Sequence, residues 1–346
     1  MRKLVNLAAG LLAGGLAAIA TASAQTGSPG GAINDYLGAM DYGVCRGLDP
    51  KCYHDWPRTR STDYRVLLVT RTGGPRHANL GPALGAGLNP TLAEGNIVQA
   101  GMVKLLTANG IKVDYTEDLA MLQAPRLSGY HAVIFFSTSR DNLDDGAKTA
   151  LRQYMRAGGG FVGLHNAFGT LYNWPYYEGL LGGANFYDHG PAREAEVVIQ
   201  SKADASTKAL PARFKFRDEW YNLVPFPTNV RFLATVDEKT YGPPANQRPP
   251  GAPAGGPPGA GPGGPPGGAG GPPRLASVVG SNPGHGDFHP VTWCQYYDGG
   301  KAWLTTLGHD AALFDPDNKR LPGALEFQKM VVGGVKSVIG AEPFCQ

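Results

Sequence analysis

Apolar and polar positions follow two regimes along this chain. From Tyr64 to Leu164, with Ile111 to Tyr115 as a further predicted strand, the apolar residues come in short continuous blocks: Arg65-Val66-Leu67-Leu68-Val69-Thr70, His131 to Ser137, and Phe161-Val162-Gly163-Leu164. Strands buried on both faces read this way, because neither face is left to water. Helical punctuation lies between them. Thr91-Leu92-Ala93-Glu94 is a capping box and predicts a helix to Gly110, a favourable C-terminal stop. Asp141 or Asn142 can cap a second helix to about Arg156, ended by Gly158-Gly159-Gly160. Strand, helix, strand, helix, strand at this spacing predicts a doubly wound α/β sheet.

The second half is richer in strands. Glu196 to Gln200, Val230 to Val236 and Leu275 to Val279 are predicted strands. Pro290 to Tyr297 and Lys301 to Leu307 flank Asp298-Gly299-Gly300 as a hairpin or closely paired strands, and Pro322 to Ile339 is a closing helix. Two segments stand apart. Residues 25–62 lack periodic pattern and are expected to wrap the main body. Between Gly242 and Pro273, 24 of 32 residues are Gly or Pro, and no apolar side chain larger than alanine offsets the entropy of ordering them. Without a strict Gly triplet this is not collagen, so a disordered insertion is expected. The domain itself is expected over residues 63–346, around that insertion.

The start of the chain changes the context. Arg2 and Lys3, an apolar stretch from Leu4 to about Ala20, and Ala22-Ser23-Ala24 form a secretory signal over residues 1–24, with cleavage before Gln25. A periplasmic or secreted protein is predicted, with no membrane association once the signal is removed. Basic residues exceed acidic by 31 to 28. Loss of Arg2 and Lys3 leaves the balance at +1, too weak for a nucleic-acid footprint. In an oxidising compartment Cys45, Cys52, Cys294 and Cys345 are expected as disulfides. Of three connectivities, Cys45–Cys52 with Cys294–Cys345 is the expected one.

Candidate chemistry gathers at strand ends, where the loops of an open α/β sheet diverge around a crevice. His77 follows the first strand, His165 ends Phe161 to Leu164, His189 lies in Asp188-His189-Gly190, and His309 closes Leu307-Gly308-His309-Asp310. Glu219 sits in Asp218-Glu219-Trp220-Tyr221. Imidazoles and a carboxylate supply acid/base chemistry and metal ligation near neutral pH. A cofactor is not specified; the residue types admit a divalent metal such as zinc, assembled from distant loops, since no His-x-x-x-His occurs. No Gly-x-Ser-x-Gly or phosphate loop is present. His54, His131 and His285 are read as structural or surface, and His289 as ambiguous.

Taken together these motifs resemble the ThuA-like (trehalose-utilisation) family of the class I glutamine amidotransferase-like superfamily. The matching pieces are Gly74-Pro75-Arg76-His77, Gly158-Gly159-Gly160 through His165, Gly182-Gly183 with Asp188-His189, Asp218-Glu219-Trp220-Tyr221, and Pro290 to Trp293 through Gly300-Lys301 to Leu307-Gly308-His309-Asp310. The resemblance implies a flavodoxin-like three-layer fold. It also implies loss of the amidotransferase nucleophile, because His165 occupies the elbow where those enzymes carry Cys. It points to His77, His165, Glu219 and His309 as site residues. The expectation is an enzyme acting on a sugar or keto-glycoside, with His165 and His309 as acid/base groups and Glu219 accepting a proton or binding hydroxyls. His77, His189, Trp220 and Tyr221 are then substrate-binding groups. The alternative is a non-catalytic carbohydrate-binding protein using the same pocket, flanked by Trp174, Tyr176 and Tyr177.

Overall fold

The computed structural model describes residues 42–55, 61–243, 282–314 and 321–346. The predicted signal (1–24), much of the wrapping segment, nearly all of the Gly/Pro insertion and the predicted strand Leu275 to Val279 lie outside the described residues. In chain order the strands are β1 (Arg46–Gly47), β2 (Arg65–Val69), β3 (Lys112–Thr116), β4 (Ala132–Phe136), β5 (Gly160–Leu164) and β6 (Phe186–His189). They continue as β7 (Arg193–Ile199), β8 (Arg213–Asp218), β9 (Tyr221–Leu223), β10 (Arg231–Asp237), β11 (His289–Tyr297) and β12 (Gly300–Thr305). The helices are α1 (Ile97–Thr107), α2 (Ala124–Leu127), α3 (Asp145–Arg156), α4 (Pro175–Leu180), α5 (Ala205–Lys208) and α6 (Ala324–Val338).

Among the described residues one large sheet runs β3-β2-β4-β5-β12-β11-β10-β7-β8, with β1 paired to β11, and β6 and β9 form a separate ribbon. Its first five strands are parallel. Their order is the 2-1-3-4-5 pattern of a flavodoxin-like sheet. From β11 onward the pairing is antiparallel. Both faces of β2, β4, β5 and β12 are buried, while the edge strand β3 is only partly covered. In β2, Val66 and Leu68 pack with residues of α1 and α6, while Leu67 and Val69 face the side covered by α2, α3 and α4. The hairpin β11–β12 turns on Asp298 and Gly299, both at positive φ as a type I′ turn requires.

Several boundaries differ from the sequence reading. Helix α1 starts after Asn96, not at Thr91, because the Asn96 side chain closes the preceding turn: it accepts from Ala93 N and donates to the Leu80 and Pro82 carbonyls. Helix α3 is capped by Asp144, which accepts from Ala147 N at 2.7 Å. Asn142 instead ties to the Arg71 backbone. Strand β8 is an addition to the predicted strands, and Arg213, Phe214, Lys215, Phe216 and Arg217 alternate in burial as a strand should. Cys45 pairs with Cys52 and Cys294 with Cys345, at Cα separations of 5.3 and 5.9 Å. Among the described residues no helix is long and apolar enough to cross a membrane.

Candidate functional site

His165 is the first residue after β5, and its φ of +51° turns the chain sharply into a short 3-10 segment, His165–Gly169. A non-glycine residue in this region is strained, so the packing around it must hold it there. Its ring is fully buried, and Nδ1 donates to the Thr306 carbonyl beyond β12 at 3.0 Å. That bond leaves the lone pair on Nε2. The Tyr221 hydroxyl lies 2.9 Å from this nitrogen and His77 Nε2 lies 3.2 Å from it. Burial, with the neighbouring His77 and His309 charges, holds His165 well below the usual imidazole range, so the ring is neutral.

His77 arrives from the loop after β2. Arg76 pins that loop by donating to the Gly81, Leu80 and Pro82 carbonyls and by pairing with Glu117 at 2.8 Å. Burial and the nearby His309 push the His77 pKa down to about 4, and its Nδ1 is enclosed without a hydrogen-bond partner. Glu219 follows β8, and His309 follows β12. Their Oε2 and Nδ1 atoms are 3.0 Å apart. Burial alone would raise Glu219, but His309 beside it and the charge of His189 hold it below the carboxylate range. Burial alone would lower His309, but the Glu219, Asp218 and Asp310 carboxylates lift it above the usual imidazole value. One cluster thus holds two neutral imidazoles and an imidazolium–carboxylate pair.

Asp218 builds this corner. Strands β8 and β12 are four places apart in the sheet, yet Asp218 accepts from Gly308 N at 2.7 Å, His309 N at 3.2 Å and Glu219 N at 2.8 Å. The antiparallel half must therefore curl back toward the parallel half. Gly308, at φ +127°, makes the turn that presents its N–H to Asp218. Burial raises the Asp218 carboxyl to about 7. Asn79 adds a bond to the His309 carbonyl at 2.8 Å.

The cluster has a floor and a mouth. His165 is 0% exposed, Glu219 13%, His189 29% and His309 38%. His189, at the end of β6, donates from Nδ1 to the Gly190 carbonyl, so its Nε2, 3.5 Å from Glu219, carries the lone pair in the neutral ring. One donor atom each from His77, His165, Glu219 and His309 lies within 4.8 Å of all the others, close enough to share a single ion. Four of the five predicted polar groups come from loops at carboxyl ends of strands in the main sheet, and His189 from the ribbon beside it.

Residues 65–336 match the family model described as ThuA, trehalose utilisation. This chain belongs to the ThuA family. Two solved structures support the fold of this ThuA-family protein. One, a ThuA-like protein from Bacteroides uniformis, is 20% identical with a TM-score of 0.53, covering 84% of this chain and 97% of that one. The other, a ThuA-like protein from Parabacteroides merdae, is 14% identical with a TM-score of 0.51, covering 81% and 91%. No curated protein matches the chain significantly.

In this ThuA-family chain Tyr221 reaches the cluster through its bond to His165, but Trp220 does not. Its indole N–H donates to the Arg193 carbonyl, and its ring packs on Phe216 and Tyr241 in the core. Trp174 stacks on both Tyr176 and Tyr177 on the α4 side; Tyr176 bonds Asp298 and Tyr177 bonds the Ala167 carbonyl. His131 is built into the sheet, accepting from Arg65 N and donating to the Ser61 carbonyl. Sequence reasoning missed Asp218 as the organising carboxylate and missed Glu238 with His289 behind Tyr221. His289 Nε2 donates to the Tyr221 carbonyl at 2.9 Å, and its Nδ1 meets Glu238 at 2.7 Å. The acid pair Asp218-Glu219 was visible; its division of labour was not, because it depends on which carboxylate the curled sheet encloses.

Proposed function

We propose that this protein is an exported enzyme acting on a sugar or keto-glycoside by proton transfer beside a carbonyl. The observation that carries the reading is the convergence of His77, His165, Glu219 and His309 into one closed floor under an open mouth that includes His189. Such a reaction needs an electrophile for the carbonyl oxygen and a base for the carbon-bound proton. The floor supplies the electrophilic end. His189, half-buried at the mouth and with Nε2 free of a backbone bond, takes the proton. The Tyr221 hydroxyl, bonded to His165, returns a proton to the product. The family description supplies the substrate class. The two disulfides favour an extracytoplasmic setting. With all four cysteines in disulfides and a histidine at the elbow, glutamine hydrolysis has no nucleophile. A purely binding role is less favoured, since Trp174, Tyr176, Tyr177 and Trp220 pack inward and not as a sugar platform.

The test is solvent deuterium incorporation beside the ketone, followed by NMR across a panel of keto-disaccharides. Loss of about 100-fold or more is expected in His165→Ala and Glu219→Gln, with circular dichroism unchanged. Full exchange rates in both variants would exclude the reading.

A further inference from the structure

We propose that His77, His165, Glu219 and His309 are the ligands of one divalent metal ion of the zinc type. The inference rests on the reading above only for what the ion does; the site itself is argued from its donors. Bonds of about 2.0–2.1 Å to a tetrahedral ion place neighbouring donors about 3.3 Å apart. The distances here bracket that value: 3.0 Å for His309–Glu219, 3.2 Å for His77–His165 and 3.8 Å for His165–Glu219, with no pair beyond 4.8 Å. Small rotations of four side chains close the set on a common centre.

Donor orientation points the same way. Thr306 fixes the His165 tautomer so that Nε2 offers its lone pair inward, the outer bond that zinc-binding imidazoles use. Asp218 fixes the backbone of both Glu219 and His309, two ligands from separate strands. His165 Nε2 and Glu219 Oε2 are both acceptors, and a cation between them is the partner they share. Three imidazole nitrogens and one carboxylate oxygen suit zinc and its transition-metal neighbours, whereas magnesium and calcium prefer all-oxygen sets.

Loading exchanges the Tyr221 hydrogen bond at His165 Nε2 for a metal bond and releases the phenol hydroxyl from that nitrogen. The ion displaces the proton of the His309 imidazolium to solvent, and three neutral imidazoles with one carboxylate then leave the dication a net charge of +1 at the floor. That charge would polarise a substrate oxygen approaching as a fifth ligand, so the electrophile is the ion, while His189 and Tyr221 remain outside the ligand set for proton transfer.

The full chain, stripped with a chelator and dialysed, is titrated calorimetrically with Zn²⁺ alone, and its metal content is measured by elemental mass spectrometry. One ion per chain is expected. His165→Ala and Glu219→Ala should each weaken binding by about 100-fold or more, while His54→Ala, which alters an exposed histidine bonded to the Arg156 carbonyl, should leave it unchanged. Co²⁺ added to the unsubstituted chain should give the visible bands of a four-coordinate site, a readout that needs no variant to fold. Absence of a saturable site in the unsubstituted chain, or unchanged affinity in both ligand variants, overturns the inference. A metal-free chain that still exchanges deuterium overturns the ion's part in the reaction and leaves the acid/base reading standing, while the site itself stands or falls on the titration. One tightly held ion with no exchange on any ketone supports the site and counts against that reading.

Discussion

Two buried histidine–carboxylate clusters flank Tyr221, and they are built in opposite ways. Behind the backbone of Tyr221, Glu238 accepts from His285 N at 2.6 Å and meets His289 Nδ1 at 2.7 Å. The other His289 nitrogen donates to the Tyr221 carbonyl, and His285 Nε2 accepts from Leu223 N at 2.9 Å. These donors and acceptors have protein partners, which is how buried polar groups pack when their task is to hold a fold. In front of the Tyr221 side chain, two imidazole nitrogens face each other, His77 Nδ1 has no partner, and two acceptors stand 3.8 Å apart. Residue types are the same in both clusters. What distinguishes the site is polar capacity that the protein leaves unspent on itself.

The largest test of that contrast is acid sensitivity in metal-free protein. His77 has an ordinary value of 6.5 that folding lowers to about 4. As pH falls through this window the unfolded chain takes a proton that the folded chain refuses, so stability falls with pH. Wild type should lose about 3 kcal/mol more than His77→Leu between these limits. Asp218, raised to about 7, titrates in the opposite sense in both chains and cancels in the difference. Equal pH profiles by denaturant melts would contradict it.

Next in size is Glu238→Ala. It strips the partner from His289 and from backbone N–H groups, and should cost about 2–3 kcal/mol in chemical denaturation at neutral pH. Folding holds Glu238 below its ordinary 4.5: burial opposes this, but the His289 bond and charge prevail. Its contribution is therefore present above pH 4.5 and is lost as pH drops through the lower folded value, a loss that Glu238→Ala should not share. Smallest is His77→Leu at pH 7.5. Removing an enclosed, unpartnered nitrogen should leave stability unchanged or raise it by about 1 kcal/mol. A loss as large as that of Glu238→Ala would erase the difference between the two clusters.

Much of the site was legible because strand ends are. A block such as Phe161 to Leu164 can only be a buried strand, so His165 had to emerge at its edge. The same logic found His77 and His309. Tyr221 and Trp220 show where it stops. They are adjacent, both aromatic and both buried, yet one ring meets His165 while the other meets Phe216 and Tyr241. Alternation along a short segment decides their faces, and its register is set by pairing with β6, which no local pattern announced. Asp218 and Glu219 diverge for a related reason: the curl of the sheet encloses one carboxylate and leaves the other facing the imidazoles.

The sequence alone determined the first four parallel strands, the close pairing of strands around Asp298-Gly299-Gly300, and which imidazoles could reach a strand edge, because apolar patterning and turn chemistry are local demands. The tertiary structure decided which carboxylate is strut and which is ligand, and which histidines are left open. Those outcomes depend on contacts between strands remote in the chain, and the free energy of a buried charge is set by what surrounds it.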